Sequence, residues 1–205
     1  MAKTPQGTGL PFRATISGLD ELAACASLNV SHVLSILDPD FPRPGAFDAF
    51  GAHRRLELRF HDVIEDAPGA IAPVRGDVEQ VLAFGRTLQA AQSQEAHVLV
   101  HCHAGVSRSA ATLGLILAQA MPGQPGSAIF AAIVRLRPQV WPNLRIVEMG
   151  DSMLQRNGDL IAGVRDLYRR QIERRPEIMR EMREGGRGRE VMLATAGAQP
   201  EDGGP

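Results

Sequence analysis

The run Ala96-His97-Val98-Leu99-Val100-His101 passes without a spacer into Cys102-His103-Ala104-Gly105-Val106-Ser107-Arg108-Ser109, and a stretch of small and apolar residues then continues to Ala120. The first segment has the apolar, β-branched character of a buried strand, and the last has the length of a helix. Only a tight loop can join them. A buried strand feeding a loop and then a helix is the unit from which helix-covered parallel sheets are built.

The rest of the chain repeats this alternation. Ala14-Thr15-Ile16-Ser17 reads as a short strand followed by a helix from Leu19 to Leu28, and Ser31 to Leu37 as a buried strand ending at Asp38-Pro39. Phe41 to Gly51, with Pro42, Pro44 and Gly45, is a loop, and Arg55 to Phe60 alternates with the period of a strand. A turn-rich loop spans His61 to Gly76, and Asp77 opens a helix carrying Val78, Val81, Leu82 and Leu88. After Ala120, the Pro- and Gly-containing segment Met121 to Gly126 stops the helix, and further helices are expected at Ser127–Arg135 and Leu144–Gln155. The expected fold class is α/β, with a central, mainly parallel sheet of four or five strands flanked by helices.

Composition enters at the boundaries. A chain of 205 residues suffices for one such domain and is too short for two large ones. A 44% hydrophobic and 22% charged composition is that of a soluble globular protein, and the net charge of -1 gives no argument for nucleic acid or membrane as a partner. Beyond Gly158 the character changes: Arg165 to Glu190 holds nine arginines and six acids, with apolar residues still at helical intervals. The division expected is a domain over 8–158, a charged helical extension over 159–184 interrupted at Pro176, and a Gly-rich, disordered tail over 185–205. The two cysteines, Cys25 and Cys102, make no disulfide framework, no apolar run has the length of a membrane span, and the N-terminus lacks a signal-peptide pattern. A reducing, cytoplasmic setting is the default.

The strand–loop–helix unit also carries chemistry. A thiol attacks as its thiolate, a form favoured by a helix N-terminus and by inward-pointing loop amides. The same cradle binds a phosphate dianion. Arg108 can hold two phosphate oxygens bidentately, which lysine cannot. Gly105 is free to adopt a positive φ, Ser109 can donate a hydrogen bond to the departing sulfur, and Ser107 can bond to the loop backbone. Cysteine, five residues and arginine is a weak spacing in so arginine-rich a chain. The full pattern of strand, His-Cys, central Gly, Ser-Arg-Ser and helix is far more specific.

On His101-Cys102-x-x-Gly105-x-Ser107-Arg108-Ser109 the sequence resembles the protein tyrosine phosphatase superfamily, in particular its small dual-specificity-like branch and the bacterial-type tyrosine phosphatases. The resemblance runs over about residues 10–156 and includes Arg137-Pro138, Pro142-Asn143 and Phe60-His61-Asp62. It implies the phosphotyrosine phosphatase II-like fold and a phosphomonoester hydrolase that passes through a phosphocysteine intermediate without metal or other cofactor. The implied nucleophile is Cys102 and the clamp Arg108, with Ser109 assisting and His103, Ala104, Gly105, Val106 and Ser107 lining the loop. The substrate would be a phosphorylated protein or small molecule, and a phosphate or sulfate ion would sit in the loop.

The general acid is Asp62 or Asp66, with Glu65 behind them. Asp62, directly after its strand, is favoured, and the length of the loop keeps Asp66 open. His101 reads as a buried residue orienting the loop, and Trp141 and Asn143 as packing and capping residues. The spacing of His32, His53, His61 and His97 to the cysteines suits no zinc site. A phospho-residue-binding module that has lost catalysis is the alternative reading, and sulfur transfer on a rhodanese-like loop a third. Pocket depth is expected to be set by loops 38–53 and 61–76.

Overall fold

The computed structural model describes residues 9–90 and 96–196. Four strands, β1 (Arg13–Ser17), β2 (His32–Leu37), β3 (Arg54–Arg59) and β4 (His97–His101), form one sheet in the order β1-β4-β2-β3, with every pairing parallel. The helices among the described residues are α1 (Leu22–Cys25), α2 (Arg75–Ala90), α3 (Arg108–Ala120), α4 (Gly126–Leu136), α5 (Leu144–Met153), α6 (Asp159–Arg174), α7 (Ile178–Glu184) and α8 (Gly188–Thr195). The α/β class and the parallel sheet agree with the sequence reading, at four strands.

The central strands β4 and β2 are buried along their whole length, as a sheet covered on both faces requires. Leu34, Ile36, Val98 and Val100 face the larger core, made with α2 through α8, while Val33 and Leu99 face a smaller one with Leu22, Cys25 and Phe47. Edge strand β3 is polar and partly exposed, with Arg55 and Arg59 paired to Glu57.

Two local expectations change. The helix expected from Leu19 to Leu28 is only one turn of α-helix and a 3-10 turn, ended by Asn29 in the left-handed region at φ 49°. Its start has no side-chain cap, because Glu21 accepts bonds from Gly18 N (2.7 Å) and Arg137 (2.6 Å). Helix α2 begins at Arg75, and Asp77 reaches back to Val74 N at 2.9 Å.

The C-terminal region is the largest departure. Pro176 does interrupt the charged helix, between α6 and α7. The tail expected to be disordered from 185 instead contains α8, with Val191 and Ala194 in the core; 197–205 lie outside the described residues. Met182, Arg183, Gly186 and Arg187 form a Schellman cap at the end of α7, with Arg187 N bonded to Met182 O (2.7 Å), Gly186 N to Arg183 O (3.2 Å) and Gly186 at φ 74°. The glycines that read as disorder therefore reverse the chain. Nor is α6 an appendage: Tyr168 donates to Pro142 O, and Gln171 Nε2 donates to Pro138 O (2.7 Å) and Val140 O (2.9 Å).

Candidate active site

The loop from Cys102 to Ser107 joins the C-terminal end of β4 to the first turn of α3, the edge where ligands of open parallel sheets bind. Gly105 sits at φ 69°, and a Cβ there would lie 2.5 Å from the carbonyl carbon of Ser17. The backbone after β1 thus presses against the loop, and Leu19 N donates to His103 O at 2.8 Å. From the other side Arg137 Nη2 donates to Ala104 O (2.9 Å), Trp141 N to Val106 O (3.0 Å) and Asn143 N to Ser107 O (3.4 Å). With these carbonyls bound from outside, the loop is held wound.

Cys102 is buried at the N-terminus of α3, its Sγ 3.3 Å from Ser109 Oγ. Arg108 is also buried: Nη1 donates to Phe60 O (2.7 Å) and Asp38 Oδ1 (2.6 Å), while Nε is buried with no partner among the described residues. An unpartnered buried guanidinium N–H is costly, and an anion at the loop would satisfy it. His101 bridges β4 to β2, with Nε2 2.7 Å from Ser35 Oγ and Nδ1 3.3 Å from Cys102 O. Since a carbonyl only accepts, Nδ1 carries the proton and Nε2 accepts from Ser35. Burial lowers its pKa to about 4, so the ring is neutral near pH 7. His103 packs on Phe41, its ring centroid 4.6 Å away, and accepts a bond from Asp38 N at 3.2 Å.

The two candidate acids are separated by the fold. Asp62 lines the same cavity of about 260 Å³ as Cys102, His103, Ala104, Val106, Ser107 and Arg108. Asp66 is 85% exposed and paired with Arg145 at 2.8 Å, and Glu65 is paired with Arg189 at 2.5 Å. Asp62 Oδ1 accepts from Ser107 Oγ (2.7 Å), Asn143 Nδ2 (2.9 Å) and Arg187 Nη1 (3.3 Å). Ser107 therefore bonds to Asp62 and not, as expected, to the loop backbone. Asn143 does cap α5, accepting from Ile146 N at 3.1 Å, and adds bonds to Asp62 and Val63 O. The loop is closed on itself by His61 N to Ile71 O (2.7 Å) and Ile71 N to His61 Nδ1 (2.9 Å).

Four residues at or around the cavity escaped the sequence reading. Asp38 anchors Arg108, and Met182 and Arg187 wall the cavity from the α7–α8 turn. Of the two loops expected to set its depth, 61–76 contributes Asp62 and 38–53 contributes no lining residue. Glu190 is fully buried and binds Arg187 through both oxygens (2.7 and 2.9 Å), Trp141 Nε1 (2.5 Å) and Leu144 N (2.9 Å). Val191 and Ala194, at helical spacing behind Arg187 and Glu190, were the available signal. Among the described residues no cluster of three or more His, Cys, Asp or Glu side chains could hold a metal ion, and no helix is long and apolar enough to cross a membrane.

The four-stranded parallel sheet flanked by helices is the fold seen in solved structures of tyrosine and dual-specificity phosphatases. Among solved structures, human DUSP28 is similar with a TM-score of 0.52 and 15% identity, covering 70% of this chain and 92% of its own. Tk-PTP in its active form gives 0.51 and 19%, covering 75% and 99%, and human tyrosine phosphatase-like serine/threonine/tyrosine-interacting protein gives 0.50 and 21%, covering 69% and 87%. No family model matches the sequence, and no curated protein matches it.

Proposed function

We propose that this chain is a phosphomonoester hydrolase of the protein tyrosine or dual-specificity type, working through a phosphocysteine without a metal. The observation that carries this reading is the convergence, on one cavity, of the Cys102 thiol, the Asp62 carboxyl and an Arg108 guanidinium whose Nε is buried without a partner among the described residues. In the first step Cys102 Sγ attacks phosphorus. The bond to the leaving oxygen breaks, and Asp62 gives that oxygen its proton. In the second step water attacks phosphorus, Asp62 takes a proton back and the S–P bond breaks, releasing inorganic phosphate. Arg108 and the loop N–H groups hold the equatorial oxygens in both steps, and Ser109 donates to the departing sulfur. Substrates are phosphorylated proteins or small molecules, and phosphate or sulfate occupies the loop as product or analogue. The two free cysteines suit a reducing, cytoplasmic setting.

The test is phosphate release from phenyl phosphate, whose leaving group needs a proton, in the presence of a chelator. Cys102→Ser is expected to reduce release to background, and Asp62→Asn to lower kcat by about 10²- to 10⁴-fold. Asp66→Asn is expected to retain wild-type activity. Release that survives Cys102→Ser would overturn the reading. A wild-type protein that binds phosphate at the loop yet releases none is the phospho-binding module instead, a reading kept in view by the phosphatase-like interacting protein among the structural neighbours.

A further inference from the structure

We propose that Arg187, held in place by Glu190, is a positioning residue for Asp62, and that the α7–α8 turn braces the acid-bearing loop against the phosphate loop. This rests on Asp62 being the general acid. Among the described residues the three donors to Asp62, from Ser107, Asn143 and Arg187, converge on Oδ1. Oδ2 is thereby the oxygen left to exchange a proton with the leaving group or with water. A carboxyl fixed through one oxygen has its second oxygen aimed, and aim is where positioning contributes to rate.

Arg187 is built for this task. Its guanidinium is buried and points three ways at once, to Asp62, to Ser107 Oγ (3.1 Å) and to both oxygens of Glu190. It thus joins the acid loop to the phosphate loop through a single rigid plane, which a lysine could not do. Burial works against its charge, but Glu190 and Asp62 outweigh that and raise its pKa, so it stays a cation. Glu190 is itself anchored on Trp141 Nε1 and Leu144 N, so the brace stands on the loop between α4 and α5 and on the first turn of α5.

A second arginine of the same segment grips the loop three residues further on, with Arg189 bonded to Glu65 (2.5 Å) and Glu148 (2.5 Å). That pair is exposed and worth at most about 1 kcal/mol. The buried Arg187 contact is the one that sets geometry. The consequence is an acid loop pinned by the C-terminal helices rather than one free to swing.

The experiment removes the buried charges together, because deleting only one would leave the other unpaired in the interior. The variant Arg187→Gln/Glu190→Gln is compared with Asp62→Asn and with the triple variant, using 4-nitrophenyl phosphate, whose leaving group needs little protonation, and phenyl phosphate, whose leaving group needs a proton. The double variant is expected to lose about 10- to 100-fold in kcat on phenyl phosphate, clearly less on 4-nitrophenyl phosphate, with KM nearly unchanged. Added to Asp62→Asn, it is expected to cause little further loss. Amide exchange in residues 61–71 is expected to speed up while that in α3 does not.

An equal loss on both substrates, or a loss that multiplies with that of Asp62→Asn, would overturn the proposal, since either means Arg187 supports the fold or binds substrate on its own account. If Asp62→Asn cripples the enzyme and the double variant does not, only this inference fails. If Asp62→Asn is as active as wild type, the acid assignment fails and takes this inference with it. Should the double variant not fold, Arg187→Lys, which keeps the charge and loses the planar fork, is judged by the same outcomes.

Discussion

Gly105 and Gly186 both hold positive φ angles, 69° and 74°, yet replacing them has different consequences. A methyl group at Gly186 meets nothing within 4 Å, so Gly186→Ala bears only the left-handed backbone penalty of about 1 kcal/mol, to be read as a shift in the denaturation midpoint with activity preserved. At Gly105 the same methyl collides with the Ser17 backbone at 2.5 Å, so the loop must deform. Gly105→Ala is expected to abolish protection of Cys102 from alkylation by phosphate and to stabilise nothing in exchange. Retained protection would show that the contact after β1 is dispensable. His101 gives a second residue-scale prediction. Burial lowers its folded pKa from 6.5 to about 4, so between these values the unfolded chain binds more protons than the folded one. Stability therefore rises with pH through that window and is lost as pH falls from 6.5 toward 4, by on the order of 3 kcal/mol in full. His32 and His97, also lowered chiefly by burial, act in the same direction. Denaturant midpoints at pH 7 and 4.5 should differ less in His101→Asn than in wild type. An unchanged difference would mean that His101 is not the linked group.

At the scale of elements, the sequence disclosed the strand–loop–helix well, because its signals are local. A run of apolar residues, a glycine able to take positive φ and a helix of small residues each announce themselves within ten positions. Cys102, Arg108, Gly105 and Ser109 were legible for that reason. Which aspartate lines the cavity was legible only as a preference for Asp62, since both occupy one turn-rich loop. It depends on which aspartate a distant Asn143 and Ser107 reach. The segment 185–196 is not legible locally, because glycine supports a disordered chain and a helix cap equally well, and only packing of Val191 and Ala194 distinguishes them. Helix α1 is shorter than its apolar spacing suggests because the chain tightens into a 3-10 turn and is ended by Asn29 in the left-handed region.

For the whole molecule the central fact is that the sheet and the C-terminal helices share one core. Leu160, Val164, Leu167, Tyr168, Ile178 and Val191 belong to the same cluster as Val98, Val100 and Ala110. The protein is thus expected to unfold in a single transition. Trp141, the only tryptophan, is stacked on Tyr168 at 4.3 Å and bonded to Glu190, so its fluorescence reports on the junction of α6 and α8 with the loop that steadies Val106. Fluorescence and far-UV circular dichroism should give coincident denaturation curves. An earlier fluorescence transition would mean that the C-terminal helices come away first.

By itself the sequence determined the α/β class, the parallel character of the sheet, and the placing of the Cys102 thiol and Arg108 on one strand–loop–helix unit. These rest on short-range patterning, which any reading of adjacent residues can capture. Tertiary structure alone decided that Asp62 faces the cavity while Asp66 faces solvent, that Asp38 anchors Arg108, and that Arg187 and Glu190 reach back to complete the cavity wall. Those choices join residues as far apart as 62 and 187. No local pattern encodes such pairings, because they exist only after the C-terminal helices have buried their apolar face against the rest of the core.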